Sequence, residues 1–166
     1  LRAKGLHTAL DTSGEVPLEN LRRIVEHADL VLYDLKNADN TAHKRDTGHD
    51  HARILANFAW LMETARNRAR PLAVWVRTPI IPGRTDTPEN LRAIGALLAP
   101  HAALIERFEL CAFNNLCKDK YLRLGRVWSF NDAPLITPQQ MAALRQAAID
   151  GGMDPQKLRV TGTLGD

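Results

Sequence analysis

The chain has 166 residues, 45% hydrophobic and 25% charged, a composition that suits one globular domain burying roughly 70% of its unfolded surface. A net charge of +3 with scattered basic residues argues against nucleic acid as a partner, and no apolar run reaches the ~18 residues of a membrane span. Cys111 and Cys117 are too few for a disulfide scaffold and suit a reducing cytoplasm. Leu1-Arg-Ala-Lys4 is no signal peptide; with strand character already at Leu6, the chain is expected to be a piece of something longer.

In chain order, Leu6 to Leu10 reads as a short strand leaving through the turn Asp11-Thr-Ser-Gly14. Pro17 can open a helix, and Leu18, Leu21, Val25 and Ala28 repeat at helical spacing. Asp29-Leu-Val-Leu-Tyr33 reads as a strand buried on both faces and ends in Asp34-Leu-Lys36. Asn37 to Gly48 is polar, a loop with a short helix. Ile54, Leu55, Phe58, Leu61, Met62 and Ala65 mark an amphipathic helix with cations at its C-terminal end. Leu72 to Thr78 is the third strand, leaving through Pro79-Ile-Ile-Pro-Gly83. A helix follows with the stripe Leu91, Ile94, Leu97 and Leu98. Ile105 to Ala112 is the fourth strand. Residues 113–136 are non-periodic, long enough to expect a functional role. Thr137-Pro-Gln-Gln140 has the form of a capping box, and Gly151-Gly152 stops its helix. Leu158 to Thr161 is a candidate last strand.

Alternating strands and helices imply parallel strands with right-handed crossovers. About four strands do not close a barrel, so the fold is either an open sheet or an arc of a larger one. With the last polar residue of each strand taken as inward, the rows are His7, Ala9, Asp11; then Leu30, Leu32, Asp34, Lys36; then Ala73, Trp75, Arg77; and Phe108, Leu110, Ala112, Asn114. Asp11, Asp34, Lys36, Arg77 and Asn114 then converge on the carboxyl rim, where α/β folds bind ligands. No nucleophile–base pair accompanies them, so the rim suits holding a polar ligand with carboxylate, ammonium and ribose groups, and no catalytic residue is assigned.

Other clusters read as structural. His43, His49, Asp50 and His51 lack metal-site spacing and read as a solvated loop, and the cysteines read as packing. Trp60, Trp75 and Trp128 are dispersed. Lys118, Lys120, Arg123 and Arg126 are the only basic cluster, equally a solvated face or a contact surface for a partner or cofactor.

Leu6-His-Thr-Ala-Leu-Asp-Thr-Ser-Gly14, Asp29-Leu-Val-Leu-Tyr-Asp-Leu-Lys36, Val74-Trp-Val-Arg-Thr-Pro-Ile-Ile-Pro-Gly83 and Phe108 to Tyr121 fall in the order and spacing of the radical SAM activating enzymes of glycyl-radical enzymes. The chain resembles that family, typified by pyruvate formate-lyase activating enzyme, over nearly its whole length. The resemblance implies an α/β fold, a partial TIM-like (β/α) barrel truncated here. It implies a [4Fe-4S] cluster that binds S-adenosylmethionine and yields a radical that abstracts hydrogen from a partner's glycine. It places Asp34, Lys36, Arg77 and Asn114 at the cofactor, and Asp11, Thr12 and the Leu32 carbonyl at a monovalent cation. The implied partners are a glycyl-radical enzyme such as formate acetyltransferase and an electron donor such as flavodoxin or ferredoxin. Two departures stand out: no three-cysteine cluster motif is present, and Asn114 stands where the type member has His. The chain by itself is therefore expected to be inactive. The alternative is a non-catalytic α/β module binding a nucleotide-like ligand or a protein through the same rim.

Overall fold

The computed structural model of the chain describes residues 4–165; Leu1 to Ala3, in the stretch read against a signal peptide, and Asp166 lie outside them. Five strands form one sheet: β1 (Ala9–Thr12), β2 (Leu30–Asp34), β3 (Ala73–Ile80), β4 (Arg107–Ala112) and β5 (Leu158–Thr161). All neighbours are parallel and the spatial order follows the chain, β1-β2-β3-β4-β5. The helices are α1 (Leu18–Val25), α2 (Asn40–Thr47), α3 (Ala52–Asn67), α4 (Pro88–Leu98), α5 (Lys118–Arg123) and α6 (Pro138–Asp150), with a 3-10 turn at Ala99–His101.

A sheet wound in one direction with right-handed crossovers receives all its helices on one face. A doubly wound sheet would reverse its order and cover both faces. Burial follows the first pattern. Val31, Tyr33, Val74, Val76, Thr78, Ile80, Phe108, Leu110 and Leu158 are buried against the helices, and their apolar members share one core with Leu21, Phe58, Leu61, Leu91, Ile94, Met141 and Leu144. The opposite face, with Leu30, Leu32, Trp75 and Arg77, is only partly covered. The fold is thus an open α/β arc, as in part of a (β/α) barrel.

This corrects the reading of Asp29–Tyr33 as buried on both faces. Continuous apolar residues there reflect helices on one side and a barrel-interior row on the other. The count of about four strands also changes, because Leu158–Thr161 pairs in full register with Phe108–Cys111. At the start, Leu6 to Thr8 are not in the strand. The Thr8 N–H and hydroxyl donate instead to the Asp29 carboxylate, at 2.8 and 3.0 Å.

Local signals mostly hold. The Thr137 hydroxyl accepts the Gln140 N–H at 3.2 Å and the Gln140 side-chain oxygen accepts the Thr137 N–H at 2.9 Å, a complete capping box. Helix α1 stops at Val25, short of Ala28. Two glycines set the packing of α4 on α6. A Cβ at Gly95 would lie 2.3 Å from the Ala148 carbonyl oxygen, and one at Gly151 would lie 2.2 Å from that of Arg92.

Candidate functional site

The rim grows from register. Leu32 pairs with both Asp11 and Trp75, and Asp34 with Arg77, so Asp11, Asp34 and Arg77 occupy one face. The aspartates stand at the carboxyl ends of β1 and β2 and Arg77 within β3, which runs on to Ile80 through residues read as its exit loop. Arg77 reaches across two strands. Its Nη2 donates to Asp11 Oδ1 at 2.5 Å and to Asp34 Oδ1 at 3.0 Å, and its Nε donates to Asp34 Oδ1 at 3.2 Å. Lys36 Nζ takes the other Asp34 oxygen at 3.1 Å. Two carboxylates and two cations therefore interlock. Arg77, Asp34 and Lys36 keep 22%, 23% and 28% of their side-chain exposure, so the cluster is desolvated yet open to a ligand. Burial alone would lower the Arg77 pKa; the Asp34 and Asp11 charges reverse that and hold it above its ordinary value.

Backbone contacts beyond the strands fix Lys36. The Leu35 N–H donates to the Arg77 carbonyl at 2.9 Å and the Thr78 hydroxyl donates to the Leu35 carbonyl at 2.6 Å. The Asn90 side chain donates to the Lys36 carbonyl at 3.0 Å and accepts the Ala38 N–H at 2.9 Å. Sequence reading passed over Asn90, whose only signal is an amide three residues after the α4 N-cap. On the β1 side, Thr12 accepts the Gly14 N–H, and the buried Asn57 donates to the Gly14 and Val16 carbonyls at 2.8 Å each. Asp11, Thr12 and Leu32 are thus adjacent, with the Asp11 carboxylate engaged by Arg77.

The fourth strand needs correction. Trp75 pairs with Arg107, Arg77 with Glu109 and Pro79 with Cys111, so the inward row of β4 is Arg107, Glu109, Cys111. Phe108, Leu110 and Ala112 face the helices. Asn114 lies past the strand end, exposed, its side chain accepting the Leu116 N–H at 3.2 Å, and it does not join the cluster. Taking the last polar residue as the marker failed because β4 stops at Ala112. The alternation Arg107-Phe108-Glu109-Leu110 already separates the two rows, and that marker overrode it.

The corrected face adds chemistry that the sequence reading missed. The Arg107 guanidinium lies 3.8 Å from the Trp75 ring centroid and donates to Glu109 at 3.0 Å. Trp75 Nε1 is buried with no hydrogen-bond partner among the described residues. In register, Asp34, Arg77, Glu109 and Arg159 form one lateral row of alternating charge across β2 to β5. Burial pushes the Cys111 thiol pKa up, while Cys117 is exposed at the start of α5.

Beside the rim, Asp46 on α2 accepts from Arg45 at 2.8 and 3.0 Å, from Asn37 at 3.0 Å and from Arg84 at 3.2 Å. The Arg45 hydrogen bonds, with those of Asn37 and Arg84, hold the Asp46 pKa below its ordinary value despite burial. A depressed folded-state pKa stabilises above the unfolded value near 4 and is lost as pH falls through the folded one. Asp46→Asn should therefore cost about 1 kcal/mol at pH 7 and progressively less as pH falls below about 4, read from urea melts across pH.

The histidines depart from a simple solvated loop. His43 is buried, its Nδ1 2.9 Å from the His49 carbonyl oxygen, and its ring lies 5.8 Å from that of His51. No group of three or more His, Cys, Asp or Glu among the described residues could hold a metal ion. No helix among them is long and apolar enough to cross a membrane. The 113–136 stretch is ordered by Phe113, Tyr121, Trp128 and Phe130, whose rings lie 5.7–6.4 Å apart.

No family model matches the chain. It is 34% identical over 90% of its length to the isethionate sulfite-lyase activating enzyme of Desulfovibrio desulfuricans and 30% identical over 92% to the pyruvate formate-lyase 2-activating enzyme of Escherichia coli. It spans 43% and 50% of those proteins. Among solved structures, a domain of pyruvate-formate lyase-activating enzyme from Bacteroides vulgatus superposes with a TM-score of 0.70 at 22% identity, over 97% of this chain and 84% of that one. The HMG-CoA lyase from Brucella melitensis gives 0.58 at 16% identity, over 96% of this chain and 48% of that one. At such identities these two establish the shared fold.

Proposed function

We propose, from the premise that this chain is a homologue of glycyl-radical-enzyme activating enzymes over nine-tenths of its length, that it forms the cofactor-holding arc of such an enzyme. The single observation carrying this reading is the Asp11–Arg77–Asp34–Lys36 cluster, which joins the carboxyl ends of β1 and β2 to the neighbouring parallel strand β3.

The donor set fits S-adenosylmethionine in charge. Lys36 and Arg77 match its carboxylate, Asp34 its amino or ribose groups, and the partnerless Trp75 Nε1 marks an unfilled polar contact on the same face. In the intact enzyme the cofactor with its [4Fe-4S] cluster would supply the radical chemistry that acts on a glycyl-radical enzyme such as formate acetyltransferase, with flavodoxin or ferredoxin as electron donor. This chain's residues bind and orient: Asp34 fixes both cations, and Arg77 ties β1 to β2. Asp11, Thr12 and the Leu32 carbonyl are the proposed monovalent-cation ligands. Asn114 would reach the cofactor only if its loop rearranged. The cluster does not fit here. The chain has only two cysteines, Cys111 half-buried and Cys117 exposed in separate elements, and its iron ligands would come from elsewhere in the protein.

Saturation-transfer NMR of the 166-residue chain with S-adenosylmethionine should show contact. Anaerobic reconstitution of the same chain with iron and sulfide should yield neither stoichiometric iron nor cofactor cleavage. Absence of contact would favour the non-catalytic module, and robust cleavage would overturn the placement of the cluster ligands elsewhere.

A further inference from the structure

The surface of residues 113–130 stands apart from the rest of the molecule. Of the seven large apolar side chains exposed among the described residues, four lie within twelve positions here: Leu116 at 82%, Leu122 at 78%, Leu124 at 58% and Val127 at 96%. Lys118, Lys120, Arg123 and Arg126 surround them against one acid, Asp119, so this segment carries a net +3. That equals the net charge of the whole chain, which leaves the remainder neutral. All four cations are exposed, and none joins an ion pair among the described residues, where Arg and Lys elsewhere form ten.

This is not a loose tail. Tyr121 stacks on Trp128 at 5.7 Å and 23°, and Phe113 and Phe130 close the cluster from beneath, so the apolar residues are held outward on a fixed base. Phe130 and Ser129 also line a depression of about 300 Å³ with Lys36 and Arg84, which makes the patch continuous with the rim.

We propose that this surface docks a protein whose contact region presents apolar side chains within an acidic rim. It rests on the proposed function in taking that protein to be the lyase that is activated. Exposed leucines ringed by unpaired cations are complementary to such a region: burial of the apolar group supplies affinity and the cations supply steering. A lipid surface fits less well. A membrane-facing element turns Trp and Tyr outward, whereas Trp128 and Tyr121 are turned in and stacked, and α5 has only six residues.

Purified isethionate sulfite-lyase is the probe, with association followed by biolayer interferometry at two salt concentrations. The wild-type chain should bind, more weakly at high salt. Lys118→Glu/Lys120→Glu/Arg123→Glu should lower the on-rate at least tenfold, and Leu122→Ser/Val127→Ser should raise the off-rate at least tenfold. Arg23→Glu on α1 should change neither. Lyase binding that both patch variants retain overturns the docking surface and leaves the proposed function standing. No lyase binding by the wild type overturns the docking surface, while the proposed function stands or falls separately on S-adenosylmethionine contact. Binding instead to phosphatidylglycerol-containing vesicles, lost in the patch variants, assigns the surface to lipid and overturns the proposal.

Discussion

Gly95→Val should lower the stability of the chain by more than 3 kcal/mol, by driving a side chain into facing backbone. In an exposed helix the same change would gain from glycine's poor propensity, about 1 kcal/mol for alanine. Here that gain is outweighed. A Cβ at Gly95 would stand 2.3 Å from the Ala148 carbonyl oxygen, and the contact is backbone, so no side-chain rotation relieves it. Helices α4 and α6 would have to part by the better part of 1 Å (about the shortfall from a normal contact), opening gaps around Leu91, Ile94, Met141 and Leu144. For a chain of this length each kcal/mol shifts the midpoint by roughly 2–4 °C, so thermal melts should fall by about 10 °C. Gly95→Ala should fall less but in the same direction. A raised midpoint for Gly95→Ala would show that propensity, and not close helix approach, governs this position.

Arg77→Ala should weaken S-adenosylmethionine binding at least tenfold, about 1.4 kcal/mol, and cost about 1–2 kcal/mol of stability. Among the described residues, the guanidinium is the only group bridging β1 and β2 through side chains at the rim, holding Asp11 and Asp34 at once. Without it, Asp34 keeps Lys36 alone at 23% exposure, and the largely exposed Asp11 turns to water. Arg77→Lys tests whether geometry or charge matters. An ammonium lacks the planar fork that spans two carboxylates, so it should restore stability in part and binding little. Equilibrium dialysis gives the affinity and urea titration the stability. A folded Arg77→Ala protein with wild-type affinity would remove the rim from the cofactor site, whatever its melting behaviour.

The mutants probe different links between sequence and structure. Gly95 could not be singled out from the chain, because a glycine within a helical stripe looks like a weakness until the facing backbone of α6 is in place. Arg77 could be, since it stands as a charge in an otherwise apolar strand, following Val74, Trp75 and Val76. Its partners Asp11 and Asp34 were reached the same way. Glu109, Arg107 and the orphaned Trp75 indole were not recognised as one face. The alternation Arg107-Phe108-Glu109-Leu110 was written in the local sequence of β4, but the last-polar-residue marker overrode it, and the pairing Arg77–Glu109 settles which row joins the rim.

The sequence by itself determined the parallel β/α alternation, the capping box at Thr137, the punctuation at Pro17 and Gly151, and the gathering of Asp11, Asp34, Lys36 and Arg77 on one rim. These follow from short-range periodicity and turn chemistry, which are written within a few residues. The tertiary structure alone decided that one face is covered and the other open, that Leu158–Thr161 completes the sheet, and that β4 turns Glu109 inward and leaves Asn114 outside. Those outcomes depend on lateral hydrogen-bond register between strands tens of residues apart, and a shift of one residue exchanges the two faces.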